Sequence, residues 1–408
     1  MSVAVLDSLK AFGRQINWVR ALNGQYKSAK LKQEYARTIS YYSGRRQTIA
    51  DLRAALVGRV RATSPLFVQR GSPRLFFLGT DELQDRSGIM QALDRLAELI
   101  YFTRSDGSYG QNFPGSDEER RGTNSDRLLA LLRDLAATGR TPDILLAQTW
   151  AGYVNPKVLG EIRDEYGTLI INIAMDDRHQ YWGRKVNGEW RGTYGLIPYL
   201  DLALTAAPEC VEWYQKEGCP ALFFPEASDP DIFHPMPELP KLHEVCFVGS
   251  RYGIREKIVT GLRKAGVQVA AYGAGWEGGR LDTQDVPRLF AQSKIVLGVG
   301  TIGYCEDFYA LKMRDFDGPM SGSCYVTHDN PDLRLVYKVG EEVVTYRSVG
   351  DCIEKVRWYL SHEDERERVA QAGRERALIG HTWEKRFNDL FDVLRKGLNQ
   401  LGRGLQAQ

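Results

Sequence analysis

The strongest constraint on the fold is the alternation of short apolar segments with helical patterns from residue 74 onward. The apolar segments are rich in Leu, Ile, Val and Phe, which is typical of strands buried on both faces of a parallel sheet. The helical patterns between them fit crossover connections, so the sequence predicts an α/β fold. The predicted strands are residues 75–78, 99–102, 144–147, 169–173, 202–205, 223–225, 245–248, 267–270, 295–297, 324–326 and 343–346.

The strands fall into two series, and the length of 408 residues exceeds that of one typical core. The Pro-rich residues 234–240 between the series predict an interdomain linker. We therefore predict two Rossmann-like domains that face each other across a cleft, at residues 72–240 and 241–380. Residues 381–408 are predicted to form a C-terminal helix, and residues 127–137 a helix capped by residues 124–126.

Residues 1–71 differ from the rest of the chain because they read as helical and strongly basic. Residues 1–70 carry a net charge of +10, and the remaining residues sum to −8. Three interpretations stay open for this extension: a solvated helical segment that packs on the body, contact with an anionic membrane surface, or binding to nucleic acid. Nucleic acid is the least favoured of the three.

Several functional classes are not supported by any motif. The six cysteines are scattered without a CxxC pair, and metal-ligand spacing is absent. The sequence has no GxSxG elbow, P-loop or kinase signature, which disfavours hydrolases and phosphotransferases. It also has no signal-peptide pattern and no apolar run of 18 residues, so we expect a cytoplasmic protein, with peripheral membrane attachment as an alternative.

Two glycine-containing loops follow predicted strands in the second half and are candidates for binding a nucleotide. Glycines let backbone N–H groups approach a phosphate, and nearby arginines add charge-assisted hydrogen bonds. An aromatic side chain in the second loop could stack on a base or simply cover the core. The candidates are Gly249, Ser250, Arg251 and Arg255 in the first loop, and Tyr272, Gly273, Gly275 and Trp276 in the second.

A charged segment at residues 312–322 leads through a predicted Gly-Pro turn into the strand at 324–326. Lys312 and Arg314 could neutralise a diphosphate, and Asp317 could accept hydrogen bonds from sugar hydroxyls. Glu342, before the next strand, offers a further carboxylate. The alternative is an ordinary helix with a solvated charged face.

Polar side chains follow a predicted strand in the first half and face the predicted cleft. Asp177 or His179 could act as a general base toward an acceptor hydroxyl, and Asp176 could bind that acceptor. Trp150 is a second acceptor-side candidate. A structural hydrogen-bonded loop is the alternative, and these few ligands do not favour a metal site.

Residues 245–387 resemble the glycosyltransferase-like C-terminal domain of CgeB-type spore-maturation proteins, which are related to family-1 and family-4 GT-B glycosyltransferases. The resemblance is carried by ordered segments, of which 311–317 with Gly322 is the most specific, and it extends over residues 72–390. The matching segments are residues 247–253, 272–276, 293–297, 311–317, 340–346, 372–376 and 381–383, with 176–177, 224–225 and 229–230 in the first half.

This resemblance implies a GT-B architecture in which the C-terminal domain holds the nucleotide sugar and the N-terminal domain holds the acceptor. It also implies that neither a metal nor another cofactor is needed. Asp317 stands where the family commonly has Glu, and Tyr309 stands where related retaining enzymes carry the first acid of a Glu pair. Retention and inversion of the anomeric centre therefore both stay open.

We therefore expect a glycosyltransferase that moves a sugar from a nucleoside-diphosphate donor to a hydroxyl of a glycan, a lipid-linked acceptor or another cell-surface polymer. A non-catalytic GT-B-like binding protein is the main alternative. A nucleic-acid-modifying glycosyltransferase that uses the basic extension is another.

Overall fold

The computed structural model describes residues 17–46, 48, 51–63 and 72–396. Its strands are β1 Arg74–Leu78, β2 Glu98–Tyr101, β3 Ile144–Ala147, β4 Leu169–Ala174, β5 Lys185–Val186, β6 Glu189–Trp190, β7 Leu202–Thr205, β8 Ala221–Phe223, β9 His243–Val248, β10 Val269–Tyr272, β11 Ser293–Leu297, β12 Cys324–His328 and β13 Val344–Tyr346.

Its helices are α1 Asn17–Ser43, α2 Leu52–Thr63, α3 Glu82–Asp85, α4 Ile89–Leu96, α5 Asp117–Ala137, α6 Pro156–Tyr166, α7 Asp177–Gln180, α8 Pro208–Lys216, α9 Ile254–Lys264, α10 Val286–Ala291, α11 Arg314–Met320, α12 Val349–Ser361, α13 Glu363–Gly380 and α14 Trp383–Lys396. Short 3₁₀ helices lie at Thr193–Tyr199, Thr283–Asp285 and Pro331–Leu335.

Two parallel sheets organise the molecule, as the alternating pattern predicts. The first has the order β2-β1-β3-β4-β7-β8 and the second has the order β10-β9-β11-β12-β13. Adjacent residues of a strand, such as Phe76 and Phe77, belong to different buried clusters because successive side chains point to opposite faces. Each sheet is thus covered on both faces, and the α/β prediction is confirmed.

Helix α14 follows the second domain in the chain but packs on the first domain. Its apolar stripe, which includes Trp383, Phe387 and Leu394, lies in one cluster with strand residues such as Leu75 and Phe77. Its neighbours in the first domain are α4 and α2. The predicted C-terminal helix therefore contributes to the core of the N-terminal domain, although residues 397–408 lie outside the described part.

Helix α1 contacts both domains along one stripe. Tyr42 is buried among aromatic residues of the first domain, and its ring stacks on Trp213 at 5.6 Å. Leu31 and Tyr35 pack against the cluster formed by Ile302, Cys305, Phe308 and Ala310 of the second domain. The predicted helical extension is thus seen over residues 17–43 and 52–63, and the rest of residues 1–71 lies outside what is described apart from a few positions.

Two local predictions were wrong. Helix α5 begins at Asp117, ten residues before the predicted start, because Ser116 and Glu119 form a capping box. The residues expected to cap it lie inside the helix, where Asn124 donates to the carbonyls of Gln111 and Tyr153.

The Gly318-Pro319 pair does not form the predicted turn but lies within α11. A Cβ atom on Gly318 would lie 2.4 Å from the Tyr325 ring, so the glycine lets the helix pack closely on β12. Asp315 and Asp317 are both buried, and this excludes a solvated charged face for α11.

All six cysteines are buried, and none of them forms a disulfide. Among the described residues, no helix is both long enough and apolar enough to cross a membrane.

Candidate functional site

Two arginine side chains converge on the loop that follows β9. A Cβ atom on Gly249 would lie 3.3 Å from Arg314 Nη1 and 3.4 Å from Arg255 Nη1. Arg255 Nε, Arg314 Nε and Arg314 Nη2 are buried and have no hydrogen-bond partner. Burial, together with the neighbouring Arg314 charge, lowers the pKa of Arg255 to about 10. Two adjacent cations with unsatisfied donors form a site for an anion.

The loop keeps this shape because two glycines are in close contact. Gly249 N–H donates to the Tyr272 carbonyl at 2.8 Å. A Cβ atom on Gly273, which has φ of +126°, would lie 2.4 Å from the Gly249 oxygen, so only glycine fits there. The predicted pair of glycine loops is therefore one structural unit beside the arginines.

Trp276 and Arg251 take part in this unit in ways that differ from the predicted nucleotide contacts. The Trp276 ring is buried edge-on against Phe247 at 6.0 Å, and its Nε1 donates to the Gly249 carbonyl at 2.8 Å. It therefore supports the loop and offers no face for base stacking. Arg251 forms an ion pair with Glu256 at 2.5 Å on the surface. Ser250 is exposed next to Gly249, and Tyr272 and Gly275 flank Gly273 in the second glycine loop.

Helix α11 carries two buried carboxylates that differ in how fully they are hydrogen-bonded. Asp315 accepts from Lys312 N–H at 2.7 Å and from the Tyr325 hydroxyl at 2.7 Å, so it has a structural role. Asp317 is buried, and its Oδ1 has no partner within hydrogen-bonding distance. Burial raises the pKa of Asp317 well above its usual value, and the nearby Ser228 hydroxyl lowers it.

Glu226 is a site residue that the sequence analysis missed. It lies three residues after β8, at the carboxyl edge of the first sheet, and its side chain is 3 % exposed. Glu226 Oε2 has no hydrogen-bond partner. Burial raises the pKa of Glu226 to about 7, and the Lys312 charge opposes that rise. Its position after a predicted strand was a usable signal, but the burial of its side chain depends on residues that are distant in the sequence.

Lys312 of the second domain contacts the first domain near the candidate acceptor residues. Its Nζ lies 3.7 Å from Asp176 Oδ1, and the same Asp176 oxygen lies 3.8 Å from His179 Nε2. Burial is the main cause that lowers the pKa of His179, with a smaller contribution from Lys312 and an opposing one from Asp176. His179 Nδ1 is buried without a hydrogen-bond partner, and the structure brings Asp176, His179 and Lys312 together.

Asp177 does not face the cleft as predicted. It is 1 % exposed, and its carboxylate accepts from the Thr193 hydroxyl at 2.5 Å and from the Tyr214 hydroxyl at 3.0 Å. Burial raises the pKa of Asp177 to about 7. These contacts favour the alternative of a structural loop for Asp177, and they leave His179 as the accessible candidate for a base.

Glu342 lies at the wrong edge of its sheet for a donor contact. It precedes β13, so it sits at the amino end of a parallel strand, whereas Arg255 and Arg314 lie at the carboxyl ends. Its Oε2 accepts from Lys338 N–H at 2.7 Å, within a tight turn. Trp150, by contrast, follows β3 at the carboxyl edge of the first sheet and is half-buried against Tyr153.

The Tyr309 backbone is held by the first domain. Its carbonyl accepts from Arg178 Nη1 at 2.7 Å, and the same guanidinium pairs with Asp332 at 2.7 Å and with Glu209 at 2.6 Å. The position where related retaining enzymes carry an acid is thus part of an interdomain contact. In the part of the chain that is described, no group of three His, Cys, Asp or Glu side chains is arranged to hold a metal ion. Metal independence stays a prediction.

Comparisons with known proteins agree with this architecture. Residues 255–392 match a family model described as glycosyl transferase-like. None of the curated proteins matches the sequence. The chain is similar to the structure of Anabaena HepE in complex with UDP-glucose, at 11% identity and a TM-score of 0.56, with 79% of this chain and 99% of that one covered.

Two further solved structures are similar to the chain. A glycosyltransferase from Rickettsia africae has 9% identity and a TM-score of 0.54, with 80% of this chain and 100% of that one covered. Sucrose-phosphate synthase from Thermosynechococcus elongatus has 13% identity and a TM-score of 0.52, with 76% and 83% covered. The fold is therefore GT-B, as predicted, whereas the narrower resemblance to CgeB-type proteins stays a prediction.

Proposed function

We propose that this GT-B protein, with its glycosyl transferase-like residues 255–392, transfers a sugar from a nucleoside-diphosphate donor to an acceptor hydroxyl. The observation that carries the proposal is the pair of buried guanidiniums, Arg255 and Arg314, with unsatisfied N–H groups beside Gly249. A diphosphate supplies the acceptors that these donors lack. The UDP-glucose in the similar HepE structure is a ligand of that class.

The arginine pair would act on the leaving group. As the bond between sugar and diphosphate breaks, negative charge grows on the departing phosphate oxygen, and preorganised cations stabilise it in the transition state. Arg255 is buried, as are Nε and Nη2 of Arg314, so little reorganisation is required. Closure of the domains around this point excludes water and limits hydrolysis of the donor.

The acceptor hydroxyl would be activated from the first domain. His179 has an imidazole with a lowered pKa, and a neutral ring nitrogen can accept a proton. Asp176 lies near enough to stabilise the imidazolium that forms. His179 therefore serves as the base if the reaction inverts the anomeric centre, and Trp150 lies on the same side to contact the acceptor. The chemistry of the acceptor is proposed only as a hydroxyl of a glycan or a lipid-linked sugar.

Isothermal titration with UDP, GDP, ADP and dTDP tests the donor site. We expect Arg314→Gln to weaken binding of the preferred diphosphate by about 10- to 100-fold, because a charge-assisted hydrogen bond contributes ~1.5–3 kcal/mol. Arg368→Gln is the matched control, since Arg368 is an exposed arginine of the same domain that pairs with Glu365. A folded wild-type protein that binds none of the four diphosphates contradicts the assignment.

Turnover separates the enzyme from the non-catalytic alternative. Hydrolysis or transfer of the sugar from the preferred donor, abolished by Lys312→Ala in a protein that still folds, supports the enzyme. Tight diphosphate binding without any turnover across a panel of glycan and lipid-linked acceptors supports the binding protein.

The described part of the basic extension favours packing on the body over nucleic-acid binding. Lys32 forms an ion pair with Asp307, and Arg45 pairs with Glu217 at 2.6 Å. Some of the positive charges of the extension are therefore paired with acidic residues of the same protein. Membrane and nucleic-acid contacts stay proposals, to be tested by salt-dependent binding to anionic vesicles and to DNA.

A further inference from the structure

Two buried carboxylates from different domains remain unsatisfied in the described structure. Glu226 is 3 % exposed and Asp317 is 6 % exposed, and each has one oxygen without a hydrogen-bond partner. The two lie on segments that meet at His381: Ser228, two residues after Glu226, donates its N–H to the His381 carbonyl at 3.0 Å, and the His381 ring lies 5.5 Å from the ring of Phe316, which adjoins Asp317. An unsatisfied buried carboxylate is costly, and it is expected where a ligand supplies the missing donor.

The surroundings of this pair indicate what that ligand is. Arg314, which borders the proposed diphosphate site, lies three residues before Asp317 on α11, and the Lys312 charge opposes the rise in the pKa of Glu226. The acids thus adjoin the cations instead of forming a separate acidic cluster. A sugar attached to a diphosphate that is bound by the arginines would lie next to these carboxylates. Neutral hydroxyl donors suit them, because a second anion would be repelled.

We infer that Glu226 and Asp317 together bind the hydroxyl groups of the transferred sugar, one carboxylate from each domain. This inference rests on the proposed function, since it takes the arginine pair as the diphosphate site. Glu226 lies in the N-terminal domain, to which the resemblance to GT-B glycosyltransferases assigns the acceptor. The sugar-binding part of the donor site is therefore complete only when the two domains meet.

Ser228 supports the same arrangement. Its hydroxyl group is buried on the loop that carries Glu226, and it lies near enough to Asp317 to lower the pKa of that carboxyl group. The loop is anchored on its far side, where Ser228 N–H donates to the His381 carbonyl and Trp383 N–H donates to the Ser228 carbonyl, both at 3.0 Å. Both polar groups of the Ser228 backbone are thus fixed at the start of α14.

The test compares each diphosphate with its sugar nucleotides by isothermal titration in EDTA. The probes are UDP, GDP, ADP and dTDP and their available glucose, galactose and N-acetylglucosamine forms. We expect wild-type protein to bind one sugar nucleotide more tightly than its parent diphosphate. Glu226→Gln should lower affinity for that sugar nucleotide about tenfold, while affinity for the diphosphate changes less than twofold.

Asp317→Asn provides an independent variant from the other domain and should give the same selective loss. Asp201→Asn is the matched control, because Asp201 is a buried acid that precedes β7 at the opposite edge of the first sheet. Thermal melting verifies that each variant folds.

The possible failures are distinguishable. Absence of diphosphate binding in the wild type overturns the proposed function and this inference with it. Diphosphate binding that depends on Arg314, combined with equal losses for diphosphate and sugar nucleotide in Glu226→Gln, overturns this inference alone. So does a wild type that gains no affinity from any of the sugars, or one that gains it only when a divalent cation is added.

Discussion

At the residue scale, the Glu226 carboxyl group that we propose to bind the sugar lowers the stability of the folded protein. Its carboxyl group is buried at the carboxyl edge of a sheet and has one oxygen without a partner. Burial and the neighbouring Asp315 and Asp176 raise its pKa, whereas Lys312 opposes the rise. Such a group is retained at a functional site more readily than in a structural core.

This conflict predicts a pH-dependent gain in stability for Glu226→Gln. The pKa of Glu226 is raised from 4.5 to about 7, so the folded protein binds a proton that the unfolded chain releases between these values. The wild type should lose stability as pH rises through that window, and the loss should be complete above it. Glutamine does not titrate. The difference in free energy of unfolding, variant minus wild type, should therefore rise by about 3 kcal/mol from pH 4 to pH 8.

Urea denaturation at several pH values measures this difference. Asp177, whose pKa is also raised to about 7, titrates in both proteins, so its contribution cancels in the comparison. A difference that stays constant across the pH range would show that the Glu226 carboxyl is not buried as described.

At the scale of elements, α1 is the feature that distinguishes this chain from a plain pair of Rossmann-like domains. Its contacting stripe includes Leu31, Tyr35 and Tyr42, which are spaced at four and seven residues and so lie on one face. Tyr35 donates to Glu209 at 2.9 Å in the first domain and packs on Phe308 of the second, with ring centroids 4.8 Å apart. The helix is therefore part of the folded body.

Matched tyrosine substitutions on α1 test this packing. Tyr42→Ala should reduce the free energy of unfolding by about 3–5 kcal/mol, because it removes a buried ring and its hydrogen bond to Glu217. Tyr26→Ala, on the same helix, should change it by less than about 0.5 kcal/mol, since Tyr26 is 69 % exposed. Equal effects in chemical denaturation would mean that α1 does not dock.

The elements also show how far a sequence can predict this structure. Strands such as β3 and β7 were predicted at their observed bounds, because a buried parallel strand is a local apolar run that needs no tertiary information. The roles of Asp177, Trp276 and Glu226 were not predictable in that way. Each depends on which groups from distant segments surround the side chain. The position of Glu342 before its strand, by contrast, already argued against a place at the carboxyl edge.

At the scale of the whole molecule, a buried ion network joins the domains near the proposed acceptor site. The Arg178 guanidinium, on α7 of the first domain, binds Asp332 and the Tyr309 carbonyl of the second while also pairing with Glu209. Arg178 and Asp332 side chains are each 11 % exposed. Removal of the cation would leave two carboxylates without their main partner.

We predict that Arg178→Gln destabilises the protein by about 3 kcal/mol and loosens the contact between the domains, because unpaired buried charges carry a large penalty. Thermal melting and small-angle X-ray scattering measure the two effects, with a larger radius of gyration expected. Arg140→Gln is the control, since Arg140 is about half exposed and pairs with the exposed Glu98. Unchanged melting and an unchanged radius would show that this network does not hold the domains together.

The return of α14 to the first domain also has a consequence for the order of folding. Trp383, Phe387 and Leu394 complete a core whose strands begin at residue 74. The last strand of the first sheet ends at Phe223, so about 160 further residues must be synthesised before α14 can cover its part of one face of that sheet. The first domain therefore reaches its complete core only after the second domain has been synthesised.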